Sequence, residues 1–157
     1  MKRACDALKA KLRGLGNPVP AGASTKELER AEELAFPNEL VEMYRQLNPA
    51  DCIELKQRIW SIENAVIENT QAVPGCALSP HGFIVFASTL GGDAYCVDTN
   101  IITSAGHHPV ALFSHEMIGE DDGMEKISSL RVEVADSLED FLAQFVSGDL
   151  SEEALIE

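Results

Sequence analysis

Apolar positions recur at helical spacing in the first third of the chain and at strand spacing through its middle. Ala4, Leu8, Leu12 and Leu15 lie three or four residues apart, which predicts a helix over Ala4–Leu15 that Gly14 and Gly16 stop. Asn17 to Gly22, with two prolines, reads as a loop. Ser24-Thr25-Lys26-Glu27 has the form of a capping box, a hydroxyl accepting from the third helical N–H and a glutamate reaching back. Leu28, Ala31 and Ala35 continue that helix with Leu34 beside them, and Pro37 breaks it. The same proline suits the start of the next helix, because its fixed φ fits a first turn and its missing N–H is not needed there. Leu40, Met43, Tyr44 and Leu47 supply that helix with a stripe at i, i+3, i+4 and i+7, and Asn48-Pro49 ends it.

The period then changes. Ile59–Ile62 reads as a strand, with Ser61 placed to cap a short helical turn over Glu63–Ile67. Phe83–Ala87 and Ala94–Asp98 are short apolar runs separated by Ser88–Asp93, a hairpin with a loop longer than the minimum. Pro109–Phe113 and Arg131–Ala135 read as two further strands, and Ile118–Ser129 as an exposed loop rich in glycine and acids. Asp136 or Ser137 caps a last helix carrying Leu138, Phe141, Leu142 and Phe145, and Gly148 sits where a left-handed C-terminal residue belongs. Ser151–Ile156 is expected to add one more acidic turn. Helices, then antiparallel-type strands, then a helix make an α+β fold, a single domain with helices packed around an antiparallel-rich sheet. Residues 1–22 are expected to form a loosely attached helical arm and linker, and 23–157 the domain.

Length agrees with this reading: 157 residues and 17.0 kDa are one ordinary domain that needs no disulfide or metal staple. Charge adds more. The formal net charge is −14, a surface that repels nucleic-acid phosphates and anionic membranes and suits a basic partner. Its distribution is uneven. Residues 1–13 hold Lys2, Arg3, Lys9, Lys11 and Arg13 against Asp6, whereas from Glu116 to Glu157 the only bases are Lys126 and Arg131. The longest uncharged stretch, Asn69–Gly92, is broken by prolines and glycines, so no transmembrane helix is expected. Asp6, Lys9 and Lys11 interrupt any signal-peptide core. Cys5, Cys52, Cys76 and Cys96 are widely spaced with no C-x-x-C pair; four cysteines could form two disulfides, but nothing else suggests secretion, so reduced thiols and a cytoplasmic protein are expected.

Candidate chemistry is thin. His107, His108 and His115 fall close together, but a strand of five residues separates its ends by roughly 17 Å, so they do not converge and no metal is expected. Gly91-Gly92-Asp93 has no following lysine or helix start; it is neither a P-loop nor a dinucleotide fingerprint, and reads as a structural turn with Asp93 bonding the loop backbone. There is no G-x-S-x-G elbow and no recognisable Cys–His signature. Trp60, the only tryptophan, reads as a core anchor. No catalytic residue and no cofactor are expected. The remaining positive feature is Glu116, Glu120, Asp121, Asp122 and Glu125, crowded into one segment with few nearby bases. Such a cluster either binds a basic partner or is a solvated loop that aids solubility.

At this point the chain resembles the SMI1/KNR4 proteins, also called the SUKH superfamily. The resemblance rests on Leu34–Leu40 leading into Met43–Asn48, on Ile59–Glu63, on Phe83–Ala87 through Gly91-Gly92-Asp93 to Asp98, and on Val134–Leu142. It covers about residues 25–147 and departs at Asn48-Pro49, where the family commonly has Asn-Gly, because proline cannot adopt φ > 0. The resemblance implies an α+β fold and a binding role without catalytic residues. Bacterial members are viewed as immunity proteins that neutralise toxins, often nucleases; fungal members act as interaction hubs in cell-wall regulation. The expectation is therefore a non-enzymatic, immunity-type protein meeting a basic toxin domain through Glu116, Glu120, Asp121, Asp122 and Glu125. A general interaction or scaffold module without a toxin partner is the alternative.

Overall fold

Six strands lie side by side in the order in which they occur in the chain, each antiparallel to the next. The computed structural model describes residues Met1 to Ile156. In chain order the elements are α1 (Lys2–Gly14), α2 (Thr25–Glu33), α3 (Asn38–Gln46), β1 (Cys52–Glu54), β2 (Gln57–Trp60), α4 (Ile62–Thr70), α5 (Gly75–Leu78), β3 (Phe83–Thr89), β4 (Ala94–Asp98), β5 (Val110–Phe113), α6 (Met124–Ser129), β6 (Val132–Ala135) and α7 (Leu138–Ser147). The fold is α+β, as its pattern of periods predicted.

Every residue of β3, β4 and β5 is buried, because both faces of the sheet's centre are covered. Alternation divides the side chains. Tyr95 and Val97 join Phe86, Leu112, Tyr44, Leu40 and Phe141 in the larger core, beneath α1, α3 and α7. Cys96 and Ala94 face the other way, with Phe83, Val85, Phe113, Leu78, Ile118 and Ile127. Phe141 is the hub of the larger core, with ring centroids 4.9 Å from Phe86 and 5.2 Å from Tyr95.

The predicted caps hold the helices. Ser24 Oγ accepts from the Glu27 N–H while Glu27 accepts from the Ser24 N–H, a reciprocal capping box. Ser137, rather than Asp136, caps α7, and Gly148 ends it at φ 81°. Pro37 is the residue before α3 and not its first helical residue. Asn48 has a role that its place after α3 did not announce: it donates to Glu27 at 2.8 Å and accepts from the Ile62 N–H at 2.9 Å, tying the start of α2 to the start of α4.

Several expectations change: Ile62, read as the end of a strand, is the first residue of α4, and α2 ends at Glu33, before Leu34 and Ala35. The N-terminal helix is not loose: Cys5, Leu8 and Leu12 enter the larger core, α1 packs on α7 and α3, and the terminal amine meets Glu139 at 2.5 Å. Ile118–Ser129 is not simply an exposed loop, since Ile118 and Ile127 are buried and its second half is α6. The helical turn expected over Glu63–Ile67 is longer, running to Thr70. Ser151–Ile156 forms no helical turn; Tyr95 Oη donates to the Ser151 carbonyl at 2.8 Å and pins the segment to the sheet.

Candidate functional site

A single divergence in the sheet builds the most distinctive surface. β2 pairs with β3 only over Gln57, Arg58 and Ile59, opposite Thr89, Ser88 and Ala87. Beyond Ile59 the chain parts from β3; Trp60 still pairs with Cys52 of β1, and the chain then enters α4, whose first turn Ser61 caps by accepting from the Asn64 N–H at 3.1 Å. Val85 lies past the end of this pairing, beside a bulge between Val85 and Ala87. The buried side chain of Asn69, near the end of α4, takes the place of a strand. It accepts from the Val85 N–H at 2.8 Å and donates to the Val85 carbonyl at 2.8 Å and to the Ala65 carbonyl at 2.7 Å. Both buried backbone groups are thereby satisfied. Gly75 lets the following segment close on α4, since a Cβ there would overlap the Glu68 carbonyl.

The result is an open cleft of about 250 Å3, lined by Arg58 and Trp60 of β2, Glu68 of α4, Val73-Pro74, Ser88 and His115. Arg58 is neutralised by Glu54 at 2.7 Å. His115 is held by Asp93, whose Oδ1 lies 2.7 Å from Nδ1 and accepts from the His115 N–H at 3.0 Å. Glu68 is half-buried, and among the described residues its carboxylate has no hydrogen bond or ion pair. Burial pushes its carboxyl above the ordinary glutamate value. The Trp60 Nε1 is buried without a hydrogen-bond partner. Trp60 itself, expected as a core anchor, is only half-buried and shared between the larger core and this cleft.

The acidic segment starts at the cleft's edge. In Gly91-Gly92-Asp93, Gly92 has φ 104° and lies under the His115 ring, and the Asp93 carboxylate reaches across to His115 instead of bonding its own loop. Glu116, Glu120, Asp121 and Glu125 are exposed, and none of the four has an ion pair among the described residues. Asp122 differs. It accepts from the Gly119 N–H at 2.6 Å and from Lys126 Nζ at 2.9 Å, and these contacts, the backbone N–H first, hold its carboxyl below the usual aspartate value. Arg131 is committed to buried Asp98 at 2.7 Å and to Glu133 at 3.1 Å. Of the five acids grouped by their sequence, four present unpaired charge and the fifth shapes the segment that presents it.

The other sequence candidates disperse. His107 lies 3.7 Å from Glu39, and His108 Nδ1 is 2.7 Å from the Ile101 carbonyl. Among the described residues no three His, Cys, Asp or Glu side chains group as metal ligands. The four cysteines are free, and burial raises the thiols of Cys5, Cys52 and Cys96, the last strongly, so they stay protonated. No described helix is long and apolar enough to cross a membrane. Glu68 and Asn69 carried no sequence signal, because their meaning depends on where β2 leaves β3.

The sequence pattern of the SMI1 / KNR4 family (SUKH-1) matches residues 22–144. That span contains the cleft residues and the whole acidic segment. No curated protein and no solved structure matches the chain.

Proposed function

The chain belongs to the SMI1/KNR4 family, and from that premise we propose that it is a non-enzymatic immunity-type protein of the cytoplasm, binding and neutralising a basic toxin domain through Glu116, Glu120, Asp121 and Glu125. The observation that carries this reading is unpaired charge on an ordered support. Asp93 fixes the start of the segment at His115, Asp122 closes its turn, and Ile118 and Ile127 root it in the smaller core. Charge presented this way needs little ordering on binding. A nuclease toxin needs a positive groove for its phosphates, and an acidic surface both steers toward such a groove and covers it.

The test is co-production with a basic toxin domain encoded beside this gene. The wild-type chain is expected to restore growth and to associate at a rate that falls steeply with salt. Glu120→Lys with Asp121→Lys is expected to slow association strongly at low salt and less at high salt, with an unchanged melting temperature. Equal association rates for the folded double variant and wild type remove this segment from the interface. Asp122 is left intact in that variant because its contacts hold the turn. The open cleft favours a second reading, a general interaction module of the same family, whose binding would depend weakly on salt.

A further inference from the structure

We propose that the cleft where β2 and β3 part receives an arginine side chain of the protein partner, with the Glu68 carboxylate as its counter-ion. This rests on the reading above that the partner is a basic protein. Each other charge lining the cleft is matched from within the chain: Arg58 by Glu54, and His115 by Asp93. Glu68 alone among these charges is half-buried with no hydrogen bond or ion pair from the described residues. A carboxylate in that position destabilises the free protein unless a cation arrives.

Three features select the cation. At about 250 Å3 the cleft is smaller than the usual site for a small-molecule ligand, roughly 300–1,000 Å3, and accommodates one side chain. Trp60 lines it, and a guanidinium is the cation that both stacks on an indole and pairs with a carboxylate through a planar fork; an ammonium is more strongly hydrated and lacks the fork. Exposed Val73 stands at its edge, an apolar rim that shields a bound charge pair from water. His115 then joins the cleft to the acidic segment, so a basic surface steered there by Glu116 and Glu120 arrives with a cation beside Glu68. The walls are preset, because Asn69 bolts α4 to β3.

Trp60 is the only tryptophan, so its emission reports on this cleft. The probe is arginine blocked as its N-acetyl amide, titrated into the full chain alongside the equally blocked citrulline, which has nearly the same shape and no charge. A saturable change in Trp60 emission is expected with the arginine compound, with a Kd in the roughly millimolar range of a single side chain, and none with citrulline. Glu68→Gln is expected to weaken the arginine response at least about tenfold, a change of roughly 1.4 kcal/mol. Equal responses to arginine and citrulline in the wild-type chain overturn the proposal without any variant. So does wild-type affinity in a folded Glu68→Gln protein. Free arginine binding far more tightly than its blocked form would mark an amino-acid site and overturn the docking reading. Glu120→Lys with Asp121→Lys is expected to leave this titration unchanged, because neither residue lines the cleft. The cleft and the acidic segment therefore fail separately.

Discussion

Replacing Asn69 by alanine tests the device on which the cleft depends. The side chain makes three hydrogen bonds, two of them to the backbone of Val85, which is 1% exposed. Without it the Val85 N–H and carbonyl are buried and unpaired where β2 no longer reaches. An unsatisfied buried group costs about 1–3 kcal/mol, so the pair predicts a loss of about 2–6 kcal/mol. A water entering the vacated space would place the result near the lower end. For a chain of this length 1 kcal/mol moves Tm by roughly 2–4 °C, so a loss of about 3 kcal/mol lowers it by roughly 6–12 °C. Urea unfolding followed by circular dichroism and by Trp60 emission measures the change, with an unaltered slope marking a stability effect. Asn69→Asp sharpens the argument. It keeps an acceptor for the Val85 N–H but turns negative oxygens toward two carbonyls, so it is expected to match or exceed the alanine loss at neutral pH and to recover partly on acidification. A stability for Asn69→Ala within about 0.5 kcal/mol of wild type, the usual range of surface changes, would refute the reasoning.

Phe141→Ala empties the centre of the larger core and is expected to cost about 3–5 kcal/mol in denaturant unfolding; a loss below about 1 kcal/mol would mean the rings around it close the space. Ala35 sits at φ 58° after α2, and relieving it with Ala35→Gly is expected to raise stability by about 0.5–1 kcal/mol, with a fall in Tm as the contrary result. The Asp122 carboxyl is held low, so its contribution is complete at neutral pH and lost as pH falls through its depressed value; amide exchange over Gly119–Lys126 should quicken in acid for wild type and already be fast at pH 7 for Asp122→Ala. Glu68 has the opposite sign. Its raised pKa destabilises the fold as pH climbs past the ordinary glutamate value of about 4.3, so Glu68→Gln should melt higher than wild type at pH 7 and equally at pH 3; a gain that persists at pH 3 would assign the effect to packing instead of charge.

Local rules account for what was legible beforehand. The caps at Ser24 and Ser137, the left-handed stop at Gly148 and the stripe of Leu138, Phe141, Leu142 and Phe145 depend on residues within a few positions of one another, and all stand as read. The central hairpin was equally visible, because β3 and β4 are neighbours in sequence and in space. β1 was not: three residues, Cys52–Glu54, carry no periodic signal and become a strand only because β2 returns beside them. The packing of α1 is not legible in the sequence for a related reason. Its stripe is plain, yet whether a stripe finds a partner depends on α7, more than a hundred residues away.

The sequence by itself determined the alternation of elements, the α+β class, the family and the excess of acid that frames the functional reading. Those follow from spacing and composition, which tertiary contacts do not alter. Only the tertiary structure decided how the charges are used. Five acids that look equivalent along the chain separate into four that face water and Asp122, which binds Gly119 and Lys126, since pairing depends on distances that sequence order does not contain. Glu68 is one of many glutamates until β2 leaves β3, Asn69 fills the gap and Trp60 comes to line the same cleft. A carboxylate acquires meaning from how much water it has lost and from what stands opposite, and both are set by the fold.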